Sequence, residues 1–118
     1  MKTSPHNLPL AIRRADGFFS RLRGLLFAPA LKPGEGLLLV PCASVHTAFM
    51  RAPIDVVFLD RSGVIRRIVP RLAPWRAAAY VGAWQTLELA AGEAARLGLQ
   101  AGQSLAPKLS NSPQEIYA

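Results

Sequence analysis

The side chains able to do chemistry concentrate in one segment, CASVHTAFMRAPIDVVFLD, which runs from Cys42 to Asp60. It holds a thiol, an imidazole, hydroxyls and two carboxylates. Such a set can bind a polar ligand or, with an activated nucleophile, carry out hydrolysis or group transfer. The candidate pocket residues are Cys42, Ser44, His46, Thr47, Met50, Arg51, Asp55 and, from a later strand, Glu88.

Asp55 stands out because its predicted strand places it on one face with Val57 and Leu59. An ionised carboxylate between apolar side chains needs hydrogen-bond donors or a cation. Two structural interpretations are open: bonds from loop backbone amides, or an ion pair with Arg51. In the functional interpretation Asp55 orients His46, and the pair acts as a base or binds a polar ligand.

Glu88 is a second carboxylate in an apolar strand. It either shares a site with Asp55 or pairs with an arginine, and the second interpretation is favoured because buried polar groups are normally satisfied structurally. Met50 either lines the pocket or packs in the core. If Glu88 shares a site with Asp55 and Met50 lines it, the sequence predicts a polar pocket.

Cys42 and His46 could form a nucleophilic dyad with Asp55 as the orienting group, as in a small hydrolase or transferase. Cys42, however, follows the apolar run LLLVP, which favours a buried and inert thiol. Ser44 and Thr47 are more typical of turn closure than of nucleophiles. The enzymatic hypothesis is therefore the runner-up.

A metal site is not predicted. Cys42 and His46 have the spacing of ligands on a helix, but Pro41 and the strand-like pattern around them disfavour a helix. One cysteine and two histidines in the chain are too few nitrogen and sulfur ligands for a structural zinc site. We expect neither a metal nor another cofactor.

The net charge of +7 permits binding to an anionic small molecule, an acidic protein or nucleic acid. The densest basic group, and the candidate polyanion contact, is Arg61, Arg66, Arg67, Arg71 and Arg76. Because the basic residues are dispersed and no nucleic-acid motif is present, a solvated surface is favoured over nucleic-acid binding. An exposed sheet edge allows a monomer or a weak homodimer.

The length of 118 residues predicts a single domain, with an ordered core over about 8–107 and a polar tail over 108–118. No apolar run is long enough to span a membrane, and the N-terminus lacks the apolar region of a secretory signal. A lone cysteine cannot form an intramolecular disulfide. These features predict a cytoplasmic protein.

Hydrophobic periodicity predicts a strand-rich α+β fold. The turn Asp60–Gly63 indicates an antiparallel hairpin in which glycine takes a positive φ. We expect a small antiparallel, barrel-like sheet of five or six short strands with two flanking helices. The predicted strands cover 8–14, 37–40, 54–60, 64–69, 84–89 and 103–106, and the predicted helices cover 17–27 and 92–98.

Three segments match a known pattern in order and spacing: RADGFFSRLRGLLF at 14–27, the stretch 34–65, and LELAAGEAARLGLQAGQSL at 87–105. On these segments the chain resembles the bacterial and archaeal domain-of-unknown-function family 192, in a compact subgroup with a Ser-x-His-Thr core, here Ser44–Thr47. The resemblance implies a compact, barrel-like β-rich fold with flanking helices, and it brings no established activity.

The resemblance also marks family positions without giving them roles. They are Arg21, Gly24, Leu25, His46, Thr47, Met50, Pro53, Asp55, Asp60, Gly63, Glu88, Gly92 and Gly102. The chain departs from the pattern at Gln103, Ala48 and Ala52, which implies a pocket of a different shape. Together the observations favour a non-enzymatic binding or accessory domain with a polar pocket around His46 and Asp55.

Overall fold

The computed structural model describes residues 8–16, 31–47, 50–109 and 114–115. It is strand-rich and α+β, which confirms the predicted class. The strands are β1 (Ala11–Asp16), β2 (Glu35–Val40), β3 (Ser44–His46), β4 (Ile54–Leu59), β5 (Ile65–Leu72), β6 (Ala77–Ala79), β7 (Gln85–Ala90) and β8 (Gln114–Glu115), and the helices are α1 (Glu93–Arg96) and α2 (Ala106–Leu109).

The main sheet has the order β5-β4-β7-β2-β1-β8, and β3 pairs with β6 in a separate two-stranded ribbon. The pairs β4–β5, β4–β7 and β2–β7 are antiparallel, but β1 runs parallel to β2 and β8. Parallel neighbours need a crossover connection, and the chain between β1 and β2 is long enough for one. Among the described strands the sheet is therefore mixed and open, where an antiparallel and barrel-like sheet was expected.

Strand β4 is buried on both faces. Val57 and Leu59 belong to one core, which also contains residues of α1 and α2. Ile54, Val56 and Phe58 belong to a second core on the opposite face, which the β3–β6 ribbon covers. The sheet thus lies between a helical layer and the ribbon.

The predicted hairpin between β4 and β5 is confirmed. Gly63 has a φ of 86°, and the Asp60 carboxylate accepts hydrogen bonds from the amides of Ser62 at 2.9 Å and Val64 at 3.0 Å. Asp60 therefore closes the turn with its side chain, as aspartates at turn starts commonly do.

The chain after α1 differs from the prediction. Helix α1 lies within the predicted helix 92–98, but the strand predicted over 103–106 is wrong, since Ser104 makes only an isolated bridge to Val64 before α2 begins. The amide of Leu105 donates to the carbonyl of Gly63 at 2.8 Å, and this long-range contact precedes the first residue of α2.

The helix predicted over 17–27 lies outside the described residues. No helix in the described part is long and apolar enough to cross a membrane.

Candidate functional site

A cleft of about 470 Å³ lies between the β3–β6 ribbon and the main sheet. This volume falls in the usual range for small-molecule sites, about 300 to 1,000 Å³. The described residues that line it are Leu39, Cys42, Ser44, Val45, His46, Met50, Ala77, Ala78, Ala79 and Glu88. Five of the residues singled out from the sequence are therefore brought together here, namely Cys42, Ser44, His46, Met50 and Glu88.

Glu88 supplies the carboxylate among these lining residues. It lies on the central strand β7, opposite Leu37 of β2 and Val56 of β4, and is only 6% exposed. Apolar neighbours lower the local dielectric, so a hydrogen bond to this carboxylate is stronger than the same bond in water. Glu88 therefore gives a mainly apolar cleft one strong acceptor.

Ser44 and His46 occupy alternate positions on β3 and are both exposed. Each faces a small partner across the ribbon, because Ser44 pairs with Ala79 and His46 with Ala77. Methyl groups at these positions leave room for a bound molecule. The hydroxyl and the imidazole are thus the accessible polar groups of the ribbon wall.

Cys42 lines the cleft but is 4% exposed. Its thiol donates to the carbonyl of Ser44 at 3.0 Å, and its own carbonyl accepts a 2.8 Å bond from the Thr86 hydroxyl. Among the described hydrogen bonds, none joins the Cys42 thiol to His46. The thiol is therefore positioned as a packed, hydrogen-bonded group.

Asp55 lies outside the cleft, on the opposite face of the sheet. It is fully buried and accepts hydrogen bonds from the amides of Arg71 at 2.9 Å, Gly92 at 3.1 Å and Ala94 at 2.8 Å. Of the interpretations drawn from the sequence, bonding to backbone amides is the one found, although these amides lie at the end of β5 and the start of α1 and not in a loop. A pocket built on both Asp55 and His46 is wrong, because the sheet separates the two side chains.

The same register separates Asp55 from Glu88. Asp55 pairs with Leu89 and Val56 pairs with Glu88, so the two carboxylates leave opposite faces of the sheet. They do not share a site. Arg51, the other partner considered for Asp55, is exposed in the bend before β4 and does not line the cleft.

Thr47 is fully buried beside the cleft and holds the loop that leads into β6. Its hydroxyl donates to the carbonyl of Ala73 at 2.5 Å and accepts from the amide of Arg76 at 2.9 Å. Its carbonyl accepts from the amide of Trp75, a residue with a φ of 62°. Because left-handed φ values are uncommon outside glycine, these bonds fix an unfavourable loop conformation.

Glu93 is a buried carboxylate that the candidate set missed. Its side chain accepts two hydrogen bonds from Arg96 and a 2.6 Å bond from the amide of Gly34, which ties α1 to the turn before β2. The Arg96 guanidinium holds the pKa of Glu93 below its ordinary value despite the opposing effect of burial. An acid in the first turn followed by an arginine three residues later was the available sequence signal.

The five candidate arginines are all exposed but do not form one patch. Arg61, Arg66 and Arg67 surround the turn after β4 and the segment 79–84. Arg71 lies at the other end of β5, where its amide meets Asp55, and Arg76 lies beside Thr47. In the described part of the chain, no three histidine, cysteine or acidic residues cluster closely enough to hold a metal ion.

Two archaeal relatives resemble this chain in sequence. A UPF0127 protein of Thermococcus sibiricus is 40% identical over 74 residues, which is 55% of this chain and 44% of that protein. A UPF0127 protein of Pyrococcus furiosus is 38% identical over 80 residues, which is 63% of this chain and 66% of that protein. The matched region thus spans less than two thirds of each relative.

Two bacterial crystal structures share the fold. A protein of unknown function from Novosphingobium aromaticivorans superposes with a TM-score of 0.69 at 24% identity, over 79% of this chain and 71% of that chain. A Sinorhizobium meliloti protein, described as a candidate transcription regulator, has a TM-score of 0.69 at 25% identity, over 79% and 78% of the two chains. The sequence model of domain-of-unknown-function family 192, described as Uncharacterized ACR, matches residues 1–107, and the chain belongs to that family.

Proposed function

We propose that this chain is a ligand-binding domain whose cleft takes a small molecule with a mainly apolar body and one hydrogen-bond-donating head group, such as an amine or a hydroxyl. The observation that carries the proposal is the nearly buried carboxylate of Glu88 in a cleft whose other walls are largely apolar. Sites of this composition, with few polar groups in a concave apolar surface, are typical of small-molecule binding.

The chemistry of Glu88 sets the head group. When it is ionised, the Glu88 carboxylate only accepts hydrogen bonds, and its two oxygens offer about four lone-pair directions. It can therefore accept a bond from a ligand in addition to bonds within the protein. An amine, an alcohol or an amide matches it, whereas a second carboxylate in the same space is repelled.

The ribbon and β2 set the body of the ligand. Leu39, Val45 and the alanines of β6 offer apolar contact, and burying apolar surface stabilises a complex by about 25 cal/mol per Å². Ser44 and His46 add accessible polar groups, which can orient a ligand whose head lies at Glu88. The polar contacts select the ligand, while the apolar walls supply most of the affinity.

Binding is favoured over catalysis by the state of Cys42. A nucleophilic cysteine needs an accessible thiol of lowered pKa next to a base. The Cys42 thiol is instead packed and donates to the carbonyl of Ser44, and Asp55 lies on the other face of the sheet. A hydrolase or transferase based on Cys42 and His46 therefore has less support than a binding domain.

The descriptions of the relatives name no ligand. The Sinorhizobium meliloti protein is described as a candidate transcription regulator. Regulators commonly contain a small domain that binds an effector, so a ligand-binding role for this chain is compatible with that description. The other relatives carry no description of function.

A thermal-shift screen tests the proposal, because a ligand that binds only the native state raises its stability. The compounds are apolar amines and alcohols, each with a carboxylic acid of the same size as a control. At about 100 times the dissociation constant, a ligand adds about 2.7 kcal/mol. We expect stabilisation by compounds with a donor head and none by the acids.

Two variants locate the site. Glu88→Gln removes the acceptor charge from the cleft, whereas Glu35→Gln removes the same charge from the half-buried start of β2, outside the cleft. The stabilisation, measured from each variant's own melting temperature, should be lost in the first and kept in the second. Equal stabilisation by the acids, or an unchanged shift in Glu88→Gln, would contradict the proposal.

A further inference from the structure

A surface outside the cleft combines an arginine and a tryptophan in a stacking arrangement. The guanidinium carbon of Arg61 lies 3.9 Å from the ring centroid of Trp84. The tryptophan is 38% exposed, and its amide donates to the carbonyl of Leu59 at 2.9 Å, which fixes its backbone beside the end of β4. The aromatic ring thus holds an exposed guanidinium in one place.

Two more exposed arginines bond to residues that are close in the chain to this pair. Arg66 is 3.9 Å from the carboxylate of Asp60, the residue before Arg61. Arg67 donates to the carbonyl of Ala79 at 2.9 Å, at the start of the segment that leads to Trp84. We refer to Arg61, Arg66, Arg67 and Trp84 as the Arg–Trp surface. With three cations near one carboxylate, it has a net positive charge.

We propose that the Arg–Trp surface binds single-stranded nucleic acid. A base stacks on the outer face of the Arg61 guanidinium, and neighbouring phosphates lie near Arg66 and Arg67. Unpaired bases commonly stack on arginine planes as well as on aromatic rings. Because Trp84 already restrains Arg61, less side-chain entropy is lost when a base binds than for a free arginine.

The observations favour a single strand over two other polyanions. Paired bases in a duplex are not available for stacking. An acidic peptide can pair its carboxylates with the edge of a guanidinium, but a carboxylate has no aromatic face to stack on the Arg61–Trp84 pair. Neither of these partners would use the outer face of the Arg61 guanidinium. The proposal rests on this surface alone and is independent of the cleft and its ligand.

Fluorescence anisotropy of a labelled oligothymidylate or oligouridylate of about ten nucleotides tests the proposal at low salt. Arg61→Lys keeps the charge and loses the planar group. We expect it to weaken binding about tenfold, the effect of losing roughly one stacking contact. The matched control is Arg76→Lys, at an exposed arginine next to the other exposed tryptophan, Trp75, and it should leave the affinity unchanged.

Salt dependence tests the phosphate contacts separately. For single strands the slope of log K against log salt is about −0.7 per phosphate neutralised. Arg66→Gln and Arg67→Gln should each make the slope shallower by about 0.7, whereas Arg61→Lys should leave the slope unchanged. Circular dichroism melts verify that every variant is folded.

Several outcomes would overturn the proposal. One is the absence of oligonucleotide binding at low salt, and another is equal binding by Arg61→Lys and the wild type. Displacement of the oligonucleotide by oligoglutamate or by duplex DNA at equal charge concentration would indicate a point-charge surface instead. Binding of oligoglutamate alone would identify an acidic protein segment as the partner.

Discussion

The carboxylate of Asp55 accepts a 2.9 Å hydrogen bond from the backbone amide of Arg71, whose φ of 51° is left-handed. The same carboxylate also receives the amides of Gly92 and Ala94. One side chain therefore joins β4, the end of β5 and the start of α1. This arrangement makes Asp55 a structural residue, which is one of the two roles that its position in an apolar strand left open.

Asp55→Asn should destabilise the fold. An asparagine replaces one acceptor oxygen with a donor, which leaves a buried backbone amide without its bond and removes a charge-assisted interaction. We expect the free energy of unfolding to fall by about 2 to 4 kcal/mol in urea titrations. The affinity of the folded variant for a cleft ligand should be unchanged. If the variant lost affinity for a cleft ligand while its free energy of unfolding stayed unchanged, Asp55 would have a role in ligand binding.

Thr47→Val tests the loop that precedes β6. The hydroxyl of Thr47 both donates to Ala73 and accepts from Arg76, so removing it leaves two partly buried backbone groups without these bonds. We expect a loss of about 1 to 3 kcal/mol in the free energy of unfolding. Thr47→Ser keeps the hydroxyl and should lose less. A larger loss in Thr47→Ser than in Thr47→Val would show that the methyl group, and not the hydrogen bonds, stabilises this loop.

The central strands could be predicted from the sequence because their patterns are strong. The alternation along β4 placed Asp55, Val57 and Leu59 on one face, and the Asp60–Gly63 turn identified its partner β5. Hydrophobic alternation and turn chemistry are local signals, so they survive without knowledge of the fold.

The ribbon could not be predicted in the same way. Strands β3 and β6 have three residues each, and Ala77–Ala79 consists of the residue with the highest helix propensity. Their extended form comes from pairing with each other and from the bonds of Thr47, which are long-range contacts. The wall of the cleft that the ribbon forms could therefore not be predicted from the sequence.

The candidate site was identified only in part for the same reason. Ser44, His46 and Glu88 attract attention as polar residues, and they do line the cleft. The alanines of β6 line it too, but alanine carries no chemistry that a sequence pattern can indicate. The alternation along β4 predicts which residues share a strand face with Asp55, but it does not predict which face of the sheet the ribbon covers.

Glu93 predicts a specific pH dependence of stability. Its pKa is lowered in the folded state, chiefly by the hydrogen bonds from Arg96, so its ionised form stabilises the native state above the ordinary value of about 4.3. This contribution is lost as the pH falls through the lower, folded-state pKa. Urea titrations of Glu93→Gln at neutral and at acidic pH should show lower stability at neutral pH and a shallower loss towards acid.

Arg96→Gln is the matched control for that prediction. It removes the main cause of the lowered pKa while leaving the Glu93 carboxylate in place, so it should also make the loss of stability towards acid shallower. Curves of stability against pH that run parallel in the wild type and both variants would contradict the assignment.

Cys42 should react slowly with a thiol reagent. Its burial and its hydrogen bond to Ser44 mean that alkylation requires local opening of the ribbon. We expect the rate of modification by iodoacetamide at neutral pH to be at least about tenfold lower than in the urea-unfolded chain. Faster modification in the native protein than in the unfolded chain would favour the alternative of a cysteine-based enzyme.

The central claim is that the cleft between the ribbon and the sheet binds a small molecule with a donor head at Glu88. The most direct test is a two-dimensional ¹H–¹⁵N NMR titration of the wild type with the most stabilising apolar amine or alcohol. We predict saturable shifts at Leu39, at Ser44–His46, at Ala77–Ala79 and at Glu88, with β1 unaffected. Shifts confined to residues outside the cleft, or no saturable shifts, would contradict the account.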